Sequence, residues 1–270
     1  MRIDELYKIA DELAPKALSD EYCKLYGAYD NSGILLDTGE EIRGAVFSLD
    51  FSFAAIDKAI GAGANLIVTH HPAIYGKIVD IRVSDFQPLD KKIVQCIQNG
   101  ISVMSMHLNL DGAIGGTDES LAQGVAHAAG GALRQEDCLI MHPLTGGGYG
   151  RAYDVREITL SALAKNLQGE LESERILFYG DGENTIKRAA SFCGAGADEA
   201  AVEFAVKAGA DVLVSADIKH HVLALATEYG LSVIALTHYA SEHYGFKKYY
   251  QKICQRTNVP CIYHTDEALL

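Results

Sequence analysis

The stretch Ala64-Asn65-Leu66-Ile67-Val68-Thr69-His70-His71-Pro72 decides how this chain is read. Its short apolar run has the length of a buried strand, and it ends on two adjacent histidines and a proline. Upstream, residues 45–50 read as another buried strand. Residues 51–62 carry helical spacing, with Gly61 and Gly63 near their end. Downstream, a helix over 90–98, a C-terminal cap at Gly100 and a strand over 101–107 repeat the pattern. Strand–helix–strand units of this kind pair their strands in parallel through a right-handed crossover. Neighbouring side chains on a regular strand point to opposite faces, so His70 and His71 could not share one metal there. Pro72 confines His71 to extended geometry and ends ladder pairing, a bend that lets the two imidazoles diverge toward neighbouring metal positions. A pair of strand-end histidines capping a loop is the plainer alternative, and the dipeptide alone leaves both open.

Working outward, residues 3–13 have helical spacing that stops before Pro15. The polar turn Tyr29-Asp30-Asn31-Ser32-Gly33 feeds a short apolar strand. A helix around 118–129 closes the first region, and Gly130-Gly131 and Thr145-Gly146-Gly147-Gly148 bracket the entry to a second. There the pattern predicts strands over 151–155, 176–179, 186–192, 212–215 and 233–236. Helices are expected over 158–167, 198–208 and 218–229, then a long helix over 239–256 and a last strand over 261–264. Strands alternating with helices twice over make an α/β fold of two lobes, each a mixed sheet flanked by helices. The first lobe takes residues 1–128 plus 238–270 and the second 129–237. A metal site is expected at strand C-terminal ends between the lobes.

Composition narrows the function. The chain has 270 residues, 49% of them hydrophobic, which suffices for a sizeable core. A formal charge of −13 without any Lys/Arg-rich run removes the electrostatic footprint of nucleic-acid binding. The six cysteines contain no C-x-x-C pair and read as reduced, mostly buried thiols of a cytoplasmic protein. The acidic, amphipathic N-terminus is no signal peptide, and no apolar run reaches the length of a membrane span.

Chemistry concentrates at strand ends. His107 and Asp111, in His107-Leu108-Asn109-Leu110-Asp111, follow the strand after the double histidine. This is the edge where open α/β sheets bind ligands. Alone, Asp111 reads as an ordinary turn or cap aspartate before Gly112. In Thr237-His238-Tyr239-Ala240-Ser241-Glu242, His238 ends a strand and opens a helix, with Glu242 four residues on and therefore on the same face. Alone, that spacing is common on surface helices. Together, His70, His71, Asp111, His238 and Glu242 offer imidazole and carboxylate without thiolate. That set suits Zn, Mn, Fe, Co or Ni, and five ligands fit a carboxylate-bridged pair of ions better than one catalytic zinc.

These motifs, with Gly148-Tyr149-Gly150-Arg151, Gly194-Ala195-Gly196 and Asp217-Ile218-Lys219-His220-His221, resemble the NIF-three-like dinuclear-metal family, whose members are often labelled GTP cyclohydrolase I type 2 homologues. The resemblance runs nearly end to end and is to the short form, without an inserted domain. It implies a toroidal homohexamer and two divalent metal ions per subunit, held by His70, His71, Asp111, His238 and Glu242. Two departures are Tyr29, where Trp is usual, and Thr237, where Gly is usual.

His107 is the candidate acid–base residue. His221 and Lys219 form a polar patch that could face substrate, with Asp217 read as a helix cap. Gly194-Ala195-Gly196 is either a phosphate-seating turn or simply a tight one, and Ser241 reads as a cap. The reading that follows is a metal-dependent hydrolase acting on a small nucleotide-like or phosphorylated substrate, by cyclohydrolase or phosphoesterase chemistry. The alternative is a metal-binding ring or partner-binding protein without significant turnover.

Overall fold

The computed structural model describes residues 1–84 and 86–270, and the chain divides into two compact α/β units. The first comprises Met1–Leu110 and Phe246–Asp266; the second comprises Asp111–Gly245 and Glu267–Leu270.

In the first unit the chain runs through α1 (Ile3–Leu13), α2 (Lys16–Tyr26), β1 (Gly33–Leu36), β2 (Ala45–Ser48), α3 (Phe53–Ala62), β3 (Leu66–Thr69), α4 (Pro88–Gln98) and β4 (Ser102–Ser105). Strands β2, β3 and β4 are parallel neighbours, in register at Ser48, Thr69 and Ser105, while β1 joins β4 antiparallel. Helix α2 was not expected from the sequence. Pro15 ends α1, but it stands as the cap of α2, a position that needs no backbone N–H. One face of the sheet packs Val46, Ile67 and Val103 under Ile56 and Cys96 of α3 and α4. Each fully buried aliphatic side chain of this kind contributes about 1.5–3 kcal/mol relative to exposure.

The chain passes into the second unit within α5 (Leu108–Gly112), and the elements that follow are α6 (Thr117–Ala128), β5 (Leu139–Leu144), β6 (Gly147–Thr159), α7 (Leu160–Glu170), β7 (Leu177–Tyr179), β8 (Thr185–Ser191), α8 (Glu199–Lys207), β9 (Val212–Ala216), α9 (His220–Glu228) and β10 (Ser232–Leu236). Its six strands lie in the order β5-β6-β8-β9-β10-β7, with β8, β9 and β10 parallel and the others antiparallel. Alternation along β9 sorts the core. Val212 and Val214 join Leu121, Leu163 and Leu167 on one face, while Leu213 joins Val202, Ala205 and Val222 on the other. The sheet therefore carries helices on both sides. The hairpin β5–β6 is longer than the predicted strand over 151–155, because Gly147 and Gly148 adopt left-handed-side φ values of 149° and 152° against chain that leaves no space for a Cβ.

Two elements complete the chain. Helix α10 (His238–Cys254) begins in the second unit and ends in the first, where strand β11 (Cys261–His264) pairs parallel with β2. Within the first unit Phe246 of α10 lies 6.3 Å from Phe47 and Tyr249 donates to Ala10 O. Among the described residues no helix is long and apolar enough to cross a membrane.

Candidate metal centre

Three parallel strands of the first unit end on polar groups. Past Thr69 the chain leaves the ladder, and the N–H groups of His70 and His71 both donate to Leu49 O, at 3.1 and 3.0 Å. Thr69 Oγ1 donates to His71 O (2.7 Å), and Ser105 Oγ, 2.6 Å from Thr69 Oγ1, accepts from Ala73 N. These bonds hold the bend that Pro72 was expected to impose. The two rings sit 5.1 Å apart and tilt by 47°, and the His107 ring lies 5.3 Å from His70 and 5.9 Å from His71. The imidazoles thus gather on one side of the sheet edge, as they could not on a regular strand.

Each ring is fixed from behind. His70 Nδ1 donates to Met106 O at 2.7 Å, His71 Nδ1 to Asp50 Oδ1 at 2.8 Å, and His107 Nδ1 to Asp30 Oδ1 at 2.8 Å. Carbonyl and carboxylate oxygens only accept, so each Nδ1 carries a proton, and in the neutral ring the lone pair is on Nε2. Asp30 is buried, and burial alone would raise its carboxyl. The bonds from His107, Ser19 and Ser32 outweigh that and hold it well below the usual carboxylate range.

The second unit repeats the device with different groups. Strand β10 ends before His238, whose Nδ1 donates to Asp217 Oδ2 at 2.6 Å and whose Nε2 lies 3.1 Å from Glu242 Oε2. Burial would lower this imidazole, but bonding to Glu242 and Asp217 raises it to about 9. Asp217 follows β9 with a φ of 49°, so it is not the helix cap expected of it: α9 starts later and is capped from Lys219. The left-handed backbone turns its carboxylate to His238 instead. Thr237, the bulkier residue where Gly is usual in the resemblance, caps α10 by accepting from Ala240 N at 3.0 Å. Ser241 is a latch, accepting from Gly194 N (2.9 Å) and donating to His238 O (2.7 Å).

Strand β8 leads to Cys193, which the sequence left among inert buried thiols. Its Sγ donates to Asp111 Oδ1 at 3.5 Å, and Thr117 Oγ1 donates to the same oxygen. One ligand atom each from Asp111, Cys193 and Glu242 lie within 4.8 Å of one another, and all three residues are buried. Burial, reinforced by Asp111, Asp118 and Glu242, pushes the Cys193 thiol well above its usual range. Asp118 accepts from Gly150 N and Cys193 N and pairs with Arg151; burial still raises its carboxyl to about 6. Gly194 leaves room for Glu242 and His238: a Cβ there would overlap Glu242 Oε1 and stand 3.3 Å from His238 Nε2. The same crowding gives the tight turn read at Gly194-Ala195-Gly196 a steric reason for its first glycine. His221 instead pairs with exposed Glu199 at 3.0 Å.

Nitrogen lone pairs with protonated backs, beside buried carboxylates, are a donor set that fits a divalent cation. The roles of Asp30, Asp50, Asp217 and Cys193 escaped sequence reading, since they depend on partners 21 to 82 residues away.

The model of the Duf34/NIF3 (NGG1p interacting factor 3) family matches residues 1–267. The chain is 26% identical over 244 residues to a GTP cyclohydrolase 1 type 2 homolog of Clostridium acetobutylicum, covering 90% of this chain and 85% of that one. To the protein of the same description from Methanocaldococcus jannaschii it is 28% identical, over 92% of this chain and 93% of that one. Its fold superposes on a hypothetical protein of Staphylococcus aureus with a TM-score of 0.80 at 25% identity, covering 98% and 96% of the two chains. Reduced HcgD from Methanocaldococcus jannaschii gives 0.79 at 24% identity, covering 97% of each.

Proposed function

This chain belongs to the Duf34/NIF3 family, and on that premise we propose that it is a dinuclear, divalent-metal-dependent hydrolase of small nucleotide-like or phosphorylated molecules. His70, His71, Asp111, His238 and Glu242 would hold the ions, their imidazole nitrogens and carboxylate oxygens suiting divalent cations. The observation that carries this reading is the set of pinned imidazoles. In His70, His71 and His238 an acceptor holds Nδ1 and leaves Nε2 as the ligating nitrogen; the acceptor is buried for His70, half-buried for His71 and exposed for His238. Core histidines that merely fill space need no such arrangement repeated at three strand ends.

Chain continuity supports bringing the carboxylates to the imidazoles. Phe246 packs 5.9 Å from the His70 ring, and Glu242 precedes it by one helical turn on the same face of α10. Asp111 follows His107 by four residues through α5. Bound at such a centre, divalent ions would supply Lewis acidity for hydrolysis.

The chain's own residues would do the rest. His107, with Nδ1–H held by the ionised Asp30, is oriented to take up or deliver a proton at Nε2, which makes it the acid–base group. Asp50 and Asp217 keep their histidines in the ligating tautomer. The curated relatives' description points to GTP as a first substrate to assay.

The test is elemental analysis and turnover of protein reconstituted with Mn or Zn, against GTP and a generic phosphodiester, for wild type, Glu242→Gln and His107→Gln. The reading expects two ions per chain and turnover in the wild type. Glu242→Gln should lose metal and activity together, whereas His107→Gln should keep metal and lose activity. Metal bound with no turnover on any substrate would favour the partner-binding alternative.

A further inference from the structure

Cys193 has no place in the ligand set proposed above, yet it stands against two of its members. It is 2% exposed, Asp111 5% and Glu242 3%, and their donor atoms fall within 4.8 Å of one another. Ligands around one tetrahedral ion with bonds of 2.0–2.3 Å lie roughly 3.3–3.8 Å apart, so a shift of a fraction of an ångström in each side chain would close the triangle.

The backbone is built to keep the sulfur there. Tyr149 Oη donates to Cys193 O at 2.6 Å, and Cys193 N donates to Asp118 at 3.3 Å. A Cβ on the next residue, Gly194, would overlap Glu242 itself. A side chain wanted only for packing would need neither two anchors on its own peptide nor carboxylates as its neighbours. An apolar residue of similar volume would fill the space without facing Asp111.

We propose that Cys193 is a sulfur ligand of the metal centre, which makes one of its positions selective for a thiophilic ion such as Zn, Co or Fe over Mn or Mg. On binding, the S–H bond is exchanged for a sulfur–metal bond and the proton leaves to the buffer, with no change of oxidation state. Soft thiolate donors favour such ions, whereas carboxylate and water alone suit Mg and Mn. The proposal deepens the metal-centre reading and rests on it, and the two can fail separately.

The experiment is titration of the metal-free full chain with cobalt(II), followed by absorption. Visible d–d bands report that the centre fills; a near-ultraviolet sulfur-to-cobalt charge-transfer band reports the thiolate. Wild type should show both. Cys193→Ser should keep the visible bands, lose the ultraviolet one, and bind zinc about tenfold more weakly with manganese affinity unchanged. Visible bands without the charge-transfer band in wild type would overturn the sulfur ligand and leave the centre standing. No bands at all would overturn both. Should Cys193→Ser fail to fold, wild type whose accessible thiols have been alkylated while folded serves instead. Of its cysteines only Cys96 and Cys193 are buried, and Cys96 lies in the core of the first unit. A charge-transfer band surviving that treatment supports the proposal, and its loss overturns it.

Discussion

Each unit ends three adjacent parallel strands on polar groups, and the two sets differ in kind. In the first, β2, β3 and β4 lead to Asp50, to His70 and His71, and to His107, so the strand ends supply imidazoles and their acceptors. In the second, β8, β9 and β10 lead to Cys193, Asp217 and His238, while the carboxylates come from helices, Asp111 in α5 and Glu242 in α10. Both arrangements use the C-terminal edge of a parallel sheet, where the chain leaves the ladder and side chains are freed. The contrast teaches that imidazoles are oriented from behind by acceptors on the neighbouring strand end, whereas a carboxylate needs only a helix to aim it. The first unit pins nitrogen; the second also brings oxygen and sulfur into a buried cluster that carries negative charge.

Removing a donor from either set should have the largest effect. His71→Ala in the first unit and Glu242→Gln in the second are each expected to weaken metal binding by about 100-fold or more, read by competition with a chelating dye. If one of them binds metal like wild type, that residue is not a ligand. Next comes the test of the pins. Asp50→Asn and Asp217→Asn should each cost about 10–100-fold in metal affinity, because an amide no longer holds the proton on Nδ1 as a carboxylate does. Asn tolerates the left-handed backbone at 217, so that variant should keep the same turn. A loss at one position alone would show that only one unit orients its histidine this way.

A smaller effect should follow pH, and it separates the units because it belongs to His238. Its imidazole is raised to about 9 by Glu242 and Asp217 against the opposing effect of burial. The stabilisation this gives the metal-free protein is full below the unfolded value near 6.5 and is lost as pH rises through about 9. Metal must displace that proton, so affinity should climb by up to about tenfold per pH unit until about 9. Calorimetric titrations at several pH values check this, and an affinity that is flat across the range would remove His238 from the ligands. Asp217→Asn should shift the rise to lower pH. The smallest effect is expected at His221→Ala, which breaks an exposed pair with Glu199. The urea unfolding midpoint should stay close to that of wild type, and metal affinity should not change.

Much of the fold was legible because its signals are local. Apolar runs of strand length and helical spacing between them marked the alternating elements, and His70, His71 and His238 all fall at strand ends as their motifs required. Helix α2 was missed because Pro15 reads as a stop from one side and as a start from the other. The β5–β6 hairpin was shortened because its glycines look like a linker until their close approach to other backbone is seen.

The amino-acid sequence by itself determined that two runs of strand and helix would form, and that histidines would emerge where the strands stop. Both follow from period and from residue type, which act over a few neighbours. Only the tertiary structure decided that Asp30, Asp50 and Asp217 stand behind those rings, and that Cys193 faces Asp111. Hydrogen bonds and desolvation act over a few ångströms of space, and in this chain those ångströms join residues as many as 82 positions apart.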